Sequence, residues 1–256
     1  MQRPVLMLVI FCFAVRLGAV NVEDYCKSIK PDVPVRCVTF AGHMYAVAEV
    51  DLRRMRISTA VTPKGQTQDY PTIFAELRKR GESRAVITNA GIYGTDAKPL
   101  GLLITAGKIV NDLNENSGSG NFYDHSAVFA TFRDDTAAVV STSEWKSQSP
   151  AFSATQSGPQ LLGNGQARFS KNSAYRYTRT AVGVTQSDRH IVRIVVSREP
   201  VTLFELQQFM SQAIHCSEAL HLDGDLSALF VAGVPPKYLF ADPGSRIATF
   251  MFIAAK

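Results

Sequence analysis

Cysteine, phosphate-loop glycines and long apolar runs are what this 256-residue chain has least of. Its four cysteines, Cys12, Cys26, Cys37 and Cys216, form no Cys-x-x-Cys pair, and no His-Glu-x-x-His is present. A zinc ribbon, a dithiol redox centre and a zincin-type site are therefore not written in the sequence. No Walker phosphate loop occurs, which removes that class of nucleotide binding. Beyond the first residues nothing is apolar enough to cross a bilayer as a helix, so no stable membrane insertion is expected of the mature chain. Lys and Arg, 27 against 22 Asp and Glu, are scattered rather than gathered into a stripe, and nucleic acid is not an expected partner. There is no repeat of fixed period, no low-complexity tract and no linker, which leaves one domain.

What is present begins with an export pattern. Met1 to Ala19 carries Arg3, an apolar run from Val5 to Val15 and small residues at Gly18 and Ala19, the outline of a secretory signal too short to span a membrane. The expectation is a signal over 1–19, a domain over 20–256 and a periplasmic or secreted protein. Losing Arg3 and Arg16 lowers the formal net charge from +5 to +3, a weak preference for anionic partners. In an oxidising compartment Cys26 and Cys37 are placed to form a disulfide across a Pro-containing loop. Cys216, at a helix end before an apolar strand, reads as an inert core thiol.

Alternating and short apolar runs bounded by turn residues predict strands at Val35–Phe40, Met44–Val50, Met55–Val61, Ala85–Thr88, Leu102–Ile104, Ile109–Val110, Ala127–Phe132, Thr136–Val140, Ala181–Thr185, His190–Ser197 and Arg246–Ala254. Gln160–Phe169 should turn back at Gly163-Asn164-Gly165. Pro71 opens one helix. Thr202 with Glu205 opens another, whose Leu203, Leu206, Phe209, Met210, Ala213 and Ile214 keep helical spacing. The fold class expected is α+β: a strand-rich mixed sheet built from hairpins with two or more packed helices.

The second helix leads into Ala219–Leu222, a buried strand emerging in Asp223-Gly224-Asp225. If the strand continues through Gly224, His221, Asp223 and Asp225 share one face. Two carboxylates there can orient water, attack a sugar carbon or help hold a divalent cation, or they can simply shape a tight turn. Arg179, at a strand start, can grip a phosphate or sit as a solvated edge charge. Asn89, at a strand end, can bind a sugar hydroxyl or cap its own turn. Tyr93 and Phe122, in Gly-rich loops, can stack on a ring or anchor their loops. Ser157 lacks the flanks of a nucleophile elbow.

The order of these signals is similar to a known family. Asn89-Ala90-Gly91-Ile92-Tyr93, Pro99-Leu100-Gly101-Leu102, Gly120-Asn121-Phe122-Tyr123, Ser157-Gly158-Pro159-Gln160-Leu161, Arg179-Thr180-Ala181-Val182-Gly183 and Leu222-Asp223-Gly224 resemble the phosphodiester glycosidases, in the form of the exported bacterial members. Two stretches depart from that pattern: Asp225 and Leu226 precede Ser227 where the family has further glycines, and Asp124-His125-Ser126-Ala127-Val128-Phe129 replaces Pro-Asn-Gly-Val-Phe.

The resemblance implies a hydrolase that removes a sugar from a phosphodiester-linked glycoside, acting on a glycan or sugar-phosphate, with no cofactor required and a divalent cation as an open alternative. It implies catalytic roles for Asp223 and Arg179. Asp225 is carried beside them on its chemistry alone. Asn89, Tyr93, Lys98, Asn121, Phe122 and Ser157 are the implied substrate-binding residues. Two other readings stay open: a metal-dependent phosphodiesterase using His221, Asp223 and Asp225, and a non-catalytic protein that binds an envelope glycan.

Overall fold

The computed structural model describes residues 34–82, 85–116, 125–145, 150–170, 174–185, 187–224, 226–231 and 244–256. In chain order the strands are β1 (Val35–Phe40), β2 (His43–Asp51), β3 (Met55–Val61), β4 (Gln68–Asp69), β5 (Val86–Asn89), β6 (Leu103–Thr105), β7 (Lys108–Asn111), β8 (Ala127–Phe132), β9 (Ala137–Ser141), β10 (Ala151–Ser157), β11 (Gln160–Gly163), β12 (Gln166–Ala167), β13 (Thr180–Val184), β14 (Ile191–Ser197), β15 (Glu218–His221), β16 (Leu229–Val231), β17 (Arg246–Ile247) and β18 (Thr249–Ala255). Helix α1 spans Tyr70–Lys79 and α2 spans Leu203–Gln208, the latter running on into a π-helical turn over Phe209–Ala213. The expected strand-rich α+β architecture is what forms.

The largest sheet has the order β1-β2-β14-β13-β15-β11-β12, and five-stranded (β7-β6-β10-β8-β9) and four-stranded (β16-β5-β18-β3) sheets face it. The shared core lies between them: Ala46, Ala48, Val50, Val182, Val184, Val192, Ile194 and Leu220 from the large sheet meet Ile57, Val86, Phe129, Val139 and Met251. On the outer face of the large sheet, Leu206, Phe209, Met210 and Ile214 of the second helical segment cover Tyr45, Val47, Ala181 and Val195. Helix α1 does the same for the four-stranded sheet, setting Tyr70, Ile73 and Leu77 on Ile87, Phe230 and Phe250. Both faces of the central strands are thus buried, which is why they read as near-continuous apolar runs rather than as alternation.

Local chemistry sets the punctuation. Two-residue turns at Ala41-Gly42, Ala106-Gly107 and Asn164-Gly165 have positive φ at both positions, the geometry whose twist suits a tight hairpin. β2 begins one residue before the expected Met44, at His43. Helix α1 starts where Asp69 accepts from the Thr72 N–H at 2.8 Å. Helix α2 starts with a reciprocal cap: the Glu205 N–H donates to Thr202 Oγ1 at 3.1 Å and the Thr202 N–H to Glu205 Oε2 at 2.8 Å. Thr202→Ala should therefore cost about 1 kcal/mol of stability, read as a lowered denaturant midpoint with an unchanged slope. An unchanged midpoint would show that packing alone sets this helix start.

Cys37 is disulfide-bonded, while its expected partner Cys26 lies outside the described residues. Cys216 is free and buried, and burial pushes its thiol up to about 12, so it stays protonated and inert. The structure corrects one expectation directly: β15 ends at His221. His221 and Asp223 therefore do not lie in one strand, although both line the same cleft.

Candidate functional site

After His221 the backbone is caught between two sheets. The Leu222 N–H donates to Thr180 O at 2.9 Å, and the Asp223 N–H donates to Ala90 O at 3.2 Å. Asn89, at the end of β5, closes the clamp. Its amide nitrogen donates to the Asp223 carbonyl at 2.7 Å, and its amide oxygen accepts from Thr180 Oγ1 at 2.8 Å. Three strand ends, from β5, β13 and β15, thereby fix the backbone of Leu222 and Asp223, and Asp223 lines a cleft of about 510 Å³. Ile92, Tyr93, Gly94, Thr95, Gly158, Pro159, His221, Leu222, Gly224 and Leu226 form the rest of its wall. That volume suits a small ligand of sugar-phosphate size.

Behind His221, another residue of that wall, lies a buried cation. Arg179 is 6% exposed, and neutral acceptors aim its guanidinium: Nε donates to Val201 O at 2.8 Å and Nη2 to Tyr175 O at 3.1 Å. Nη1 lies 3.3 Å from His221 Nε2, and the opposite ring nitrogen, Nδ1, lies 3.1 Å from Gly158 O. Since a carbonyl can only accept and a guanidinium can only donate, His221 must carry its proton on Nδ1 and present a lone pair to Arg179. Burial first, and the Arg179 charge second, push its pKa down to about 3. His221 is therefore a neutral strut that orients the cation.

The tight approach explains a glycine. A Cβ on Gly224 would sit 3.0 Å from His221 Cε1, 3.1 Å from Nε2 and 3.9 Å from Arg179 Nη1, so Leu-Asp-Gly closes over the His–Arg pair only without a side chain. Gly91 meets the same kind of demand against β10, where a Cβ would lie 2.2 Å from Gln156 O.

The His221 geometry has a pH consequence. The group titrates near 6.5 in the unfolded chain and near 3 in the folded one, so between those values the unfolded state binds the extra proton. Its contribution to stability is fully present above pH 6.5 and is lost as pH falls toward 3, by up to about 1.4 kcal/mol per unit. Urea denaturation across this window should show a shallower pH slope for His221→Gln than for the wild type. Equal slopes would contradict a neutral buried imidazole.

The remaining sequence-predicted residues fall in distinct places. Tyr93 lines the cleft, donates its hydroxyl to Arg246 O at 3.1 Å and is pushed up to about 12 by burial and then by the Asp223 charge. Asn89 and Ser157 are buried, at 1% and 0% exposure, so both stand behind the wall rather than on it. Lys98 is exposed and pairs with Asp96 at 3.0 Å, and it is not part of the cleft lining. Asn121, Phe122 and Asp225 lie outside the described residues.

Tyr70 was not visible as a site residue in the sequence. Its phenol is buried under the cleft, raised by burial and by the nearby Tyr93 and Asp223. Only its position at a helix start hinted at more than packing. Among the described residues, no three His, Cys, Asp or Glu side chains gather to hold a metal, and both His221 ring nitrogens already have partners.

The fold and these motifs have relatives. The chain is 26% identical over 163 residues to YigE, an uncharacterised protein of Escherichia coli K12, a match covering 63% of each sequence. The chain thus spans under two thirds of that relative's length. Its fold is similar to the zebrafish N-acetylglucosamine-1-phosphodiester alpha-N-acetylglucosaminidase catalytic domain, auto-inhibited by its pro-peptide, with a TM-score of 0.60 at 17% identity over 90% of this chain and 85% of that one. A hypothetical protein from Synechocystis follows, with a TM-score of 0.53 at 15% identity over 87% and 61%. Residues 82–251 match the phosphodiester glycosidase family, and they contain every motif of the cleft: the chain belongs to that family.

Proposed function

We infer that the protein is an exported hydrolase that cleaves the bond between the anomeric carbon of a sugar and the oxygen of a phosphodiester. The observation that carries this reading is a backbone-clamped carboxylate, Asp223, on a cleft whose His221 wall is backed by a buried guanidinium, Arg179. A phosphate leaving group is already a weak base, so it needs charge stabilisation more than full protonation. Arg179 supplies that charge and can meet a phosphate with parallel N–H groups. Asp223 acts as general base on water or steadies the positive charge that develops at the sugar carbon. Tyr93 walls the sugar site, and Asn89 holds Asp223 in place.

The ligand is a glycan or sugar-phosphate. The zebrafish relative's name points to an N-acetylglucosamine 1-phosphodiester as the first substrate to try. The disulfide at Cys37 supports an oxidising compartment, and no helix among the described residues is long and apolar enough to cross a membrane.

The test is incubation of the purified protein with an N-acetylglucosamine phosphodiester, with and without a chelator. Free sugar plus a phosphomonoester, formed at the same rate in both, is the expected result. Products with phosphate left on the sugar, formed only without chelator, would favour a metal-dependent phosphodiesterase. Binding without turnover would favour a glycan-binding protein.

A further inference from the structure

At the far end of the molecule from Asp223 the three sheets leave a second opening, a pocket of about 230 Å³. Strand β18 runs between the two places. Phe250 pairs with Asn89 of the Asp223 clamp at one end, and Ala255 pairs with Met55 of the pocket at the other, about 17 Å along the strand. The pocket and the cleft have no lining residue in common, so what the pocket holds does not depend on the reaction at Asp223.

Its inner wall is apolar and its rim is cationic. Leu52 and Ile57, buried in the shared core, form the floor, and half-buried Met55, Phe132 and Phe152 continue it outward. At the mouth Arg56 is paired with Glu82, and Lys256 with Asp135. The exposed Arg133 has no ion pair among the described residues, and its guanidinium lies over the Phe152 ring, 5.9 Å from the centre. One polar group stands on the inner wall. Thr131 is 3% exposed there, and its hydroxyl has no hydrogen-bond partner among the described residues, nor has that of Ser153 directly opposite on β10. A buried hydroxyl left in this way costs stability, which a ligand bonded to it returns.

We propose that this pocket is a second binding site, for a small carboxylate whose apolar body carries a hydroxyl at the end away from the acid. The carboxylate meets Arg133, whose planar fork can take both oxygens. The body covers the apolar floor, and a volume below that of a drug-sized site limits it to about one ring. A charged head placed at Thr131 instead would lose its hydration with no cation to replace it, which fixes the orientation with the acid outward and the hydroxyl inward. Rotation about χ1, between rotamers that strands commonly hold, turns the Thr131 hydroxyl to the ligand's. Each hydroxyl can both donate and accept, so the two satisfy one another.

The test is calorimetric titration of the full chain with 4-hydroxyphenylacetate, 4-hydroxyphenylacetamide and phenylacetate. The first should bind about tenfold tighter than the amide, through its charged contact with Arg133, and about fivefold tighter than phenylacetate, through Thr131. Arg133→Gln should erase the preference for the acid and keep that for the hydroxyl. Thr131→Val should do the reverse, while Thr131→Ser keeps both preferences and Asp223→Asn binds all three compounds as the wild type does. No binding of 4-hydroxyphenylacetate, or equal affinity for the acid and its amide, overturns the proposal. So does either preference surviving the substitution meant to remove it, and a loss of binding in Asp223→Asn would put the ligand in the cleft instead.

Discussion

Replacing Asp223 by Asn should lower turnover by about 10²–10⁴-fold, the usual contribution of a positioned acid or base, while the protein stays folded. The contacts that fix this residue's place run through its backbone, from its carbonyl to Asn89 and from its N–H to Ala90, and the substitution leaves them intact. Asn also keeps the shape of the side chain. What disappears is the negative charge and the capacity to accept a proton. The decisive comparison is kcat against the denaturation midpoint: a collapsed kcat with a midpoint close to the wild-type value assigns the loss to chemistry. An Asn variant that turns over at the wild-type rate would remove Asp223 from the mechanism.

Arg179→Lys is expected to cost about 10²–10³-fold in kcat, the range seen when one preorganised donor to a developing negative charge is lost. The charge survives this change, so the experiment isolates geometry. Arg179 reaches Val201 O, Tyr175 O and His221 Nε2 with three different nitrogens, which a single ammonium cannot do. The variant also loses a buried, charge-assisted hydrogen bond to Val201 O and the contact with His221, so activity should be measured well below its own melting transition. Full activity in the lysine variant would mean that Arg179 serves the fold and another cation meets the phosphate.

Much of the fold was legible because propensity and pattern agree there. The capping box at Thr202 and Glu205, the Pro-started helix at Tyr70 and the strands at Val35–Phe40 and Met55–Val61 form where local chemistry places them. Strand β10 was not legible. Its Ser153, Thr155 and Ser157 look like loop residues, yet they are buried in the middle of the five-stranded sheet. Small polar side chains fit a close-packed interior where the neighbouring strands demand little volume, and composition alone does not reveal that. Strand β16 was missed for its length, three residues after an irregular turn.

At the site, the resemblance picked out Asp223 and Arg179 from motifs far apart in sequence; the fold puts Asp223 in the cleft wall and Arg179 behind His221 of that wall. The partnership between His221 and Arg179 could not be read, because it depends on the antiparallel pairing that sets Ala181 opposite His221. Asn89 shows the same limit from the other side. A strand-end asparagine before a glycine is equally suited to a ligand or to a backbone, and only the 2.7 Å contact to Asp223 O shows the backbone role.

Glycosidase and phosphodiesterase chemistry differ in which bond breaks. Hydrolysis of an N-acetylglucosamine phosphodiester in ¹⁸O-labelled water, with the label located by mass spectrometry, answers that directly. Attack at the anomeric carbon, with Arg179 holding a departing phosphate, predicts the label in the released sugar and none in the phosphomonoester. Label in the phosphate would show attack at phosphorus and contradict the catalytic roles of both Asp223 and Arg179.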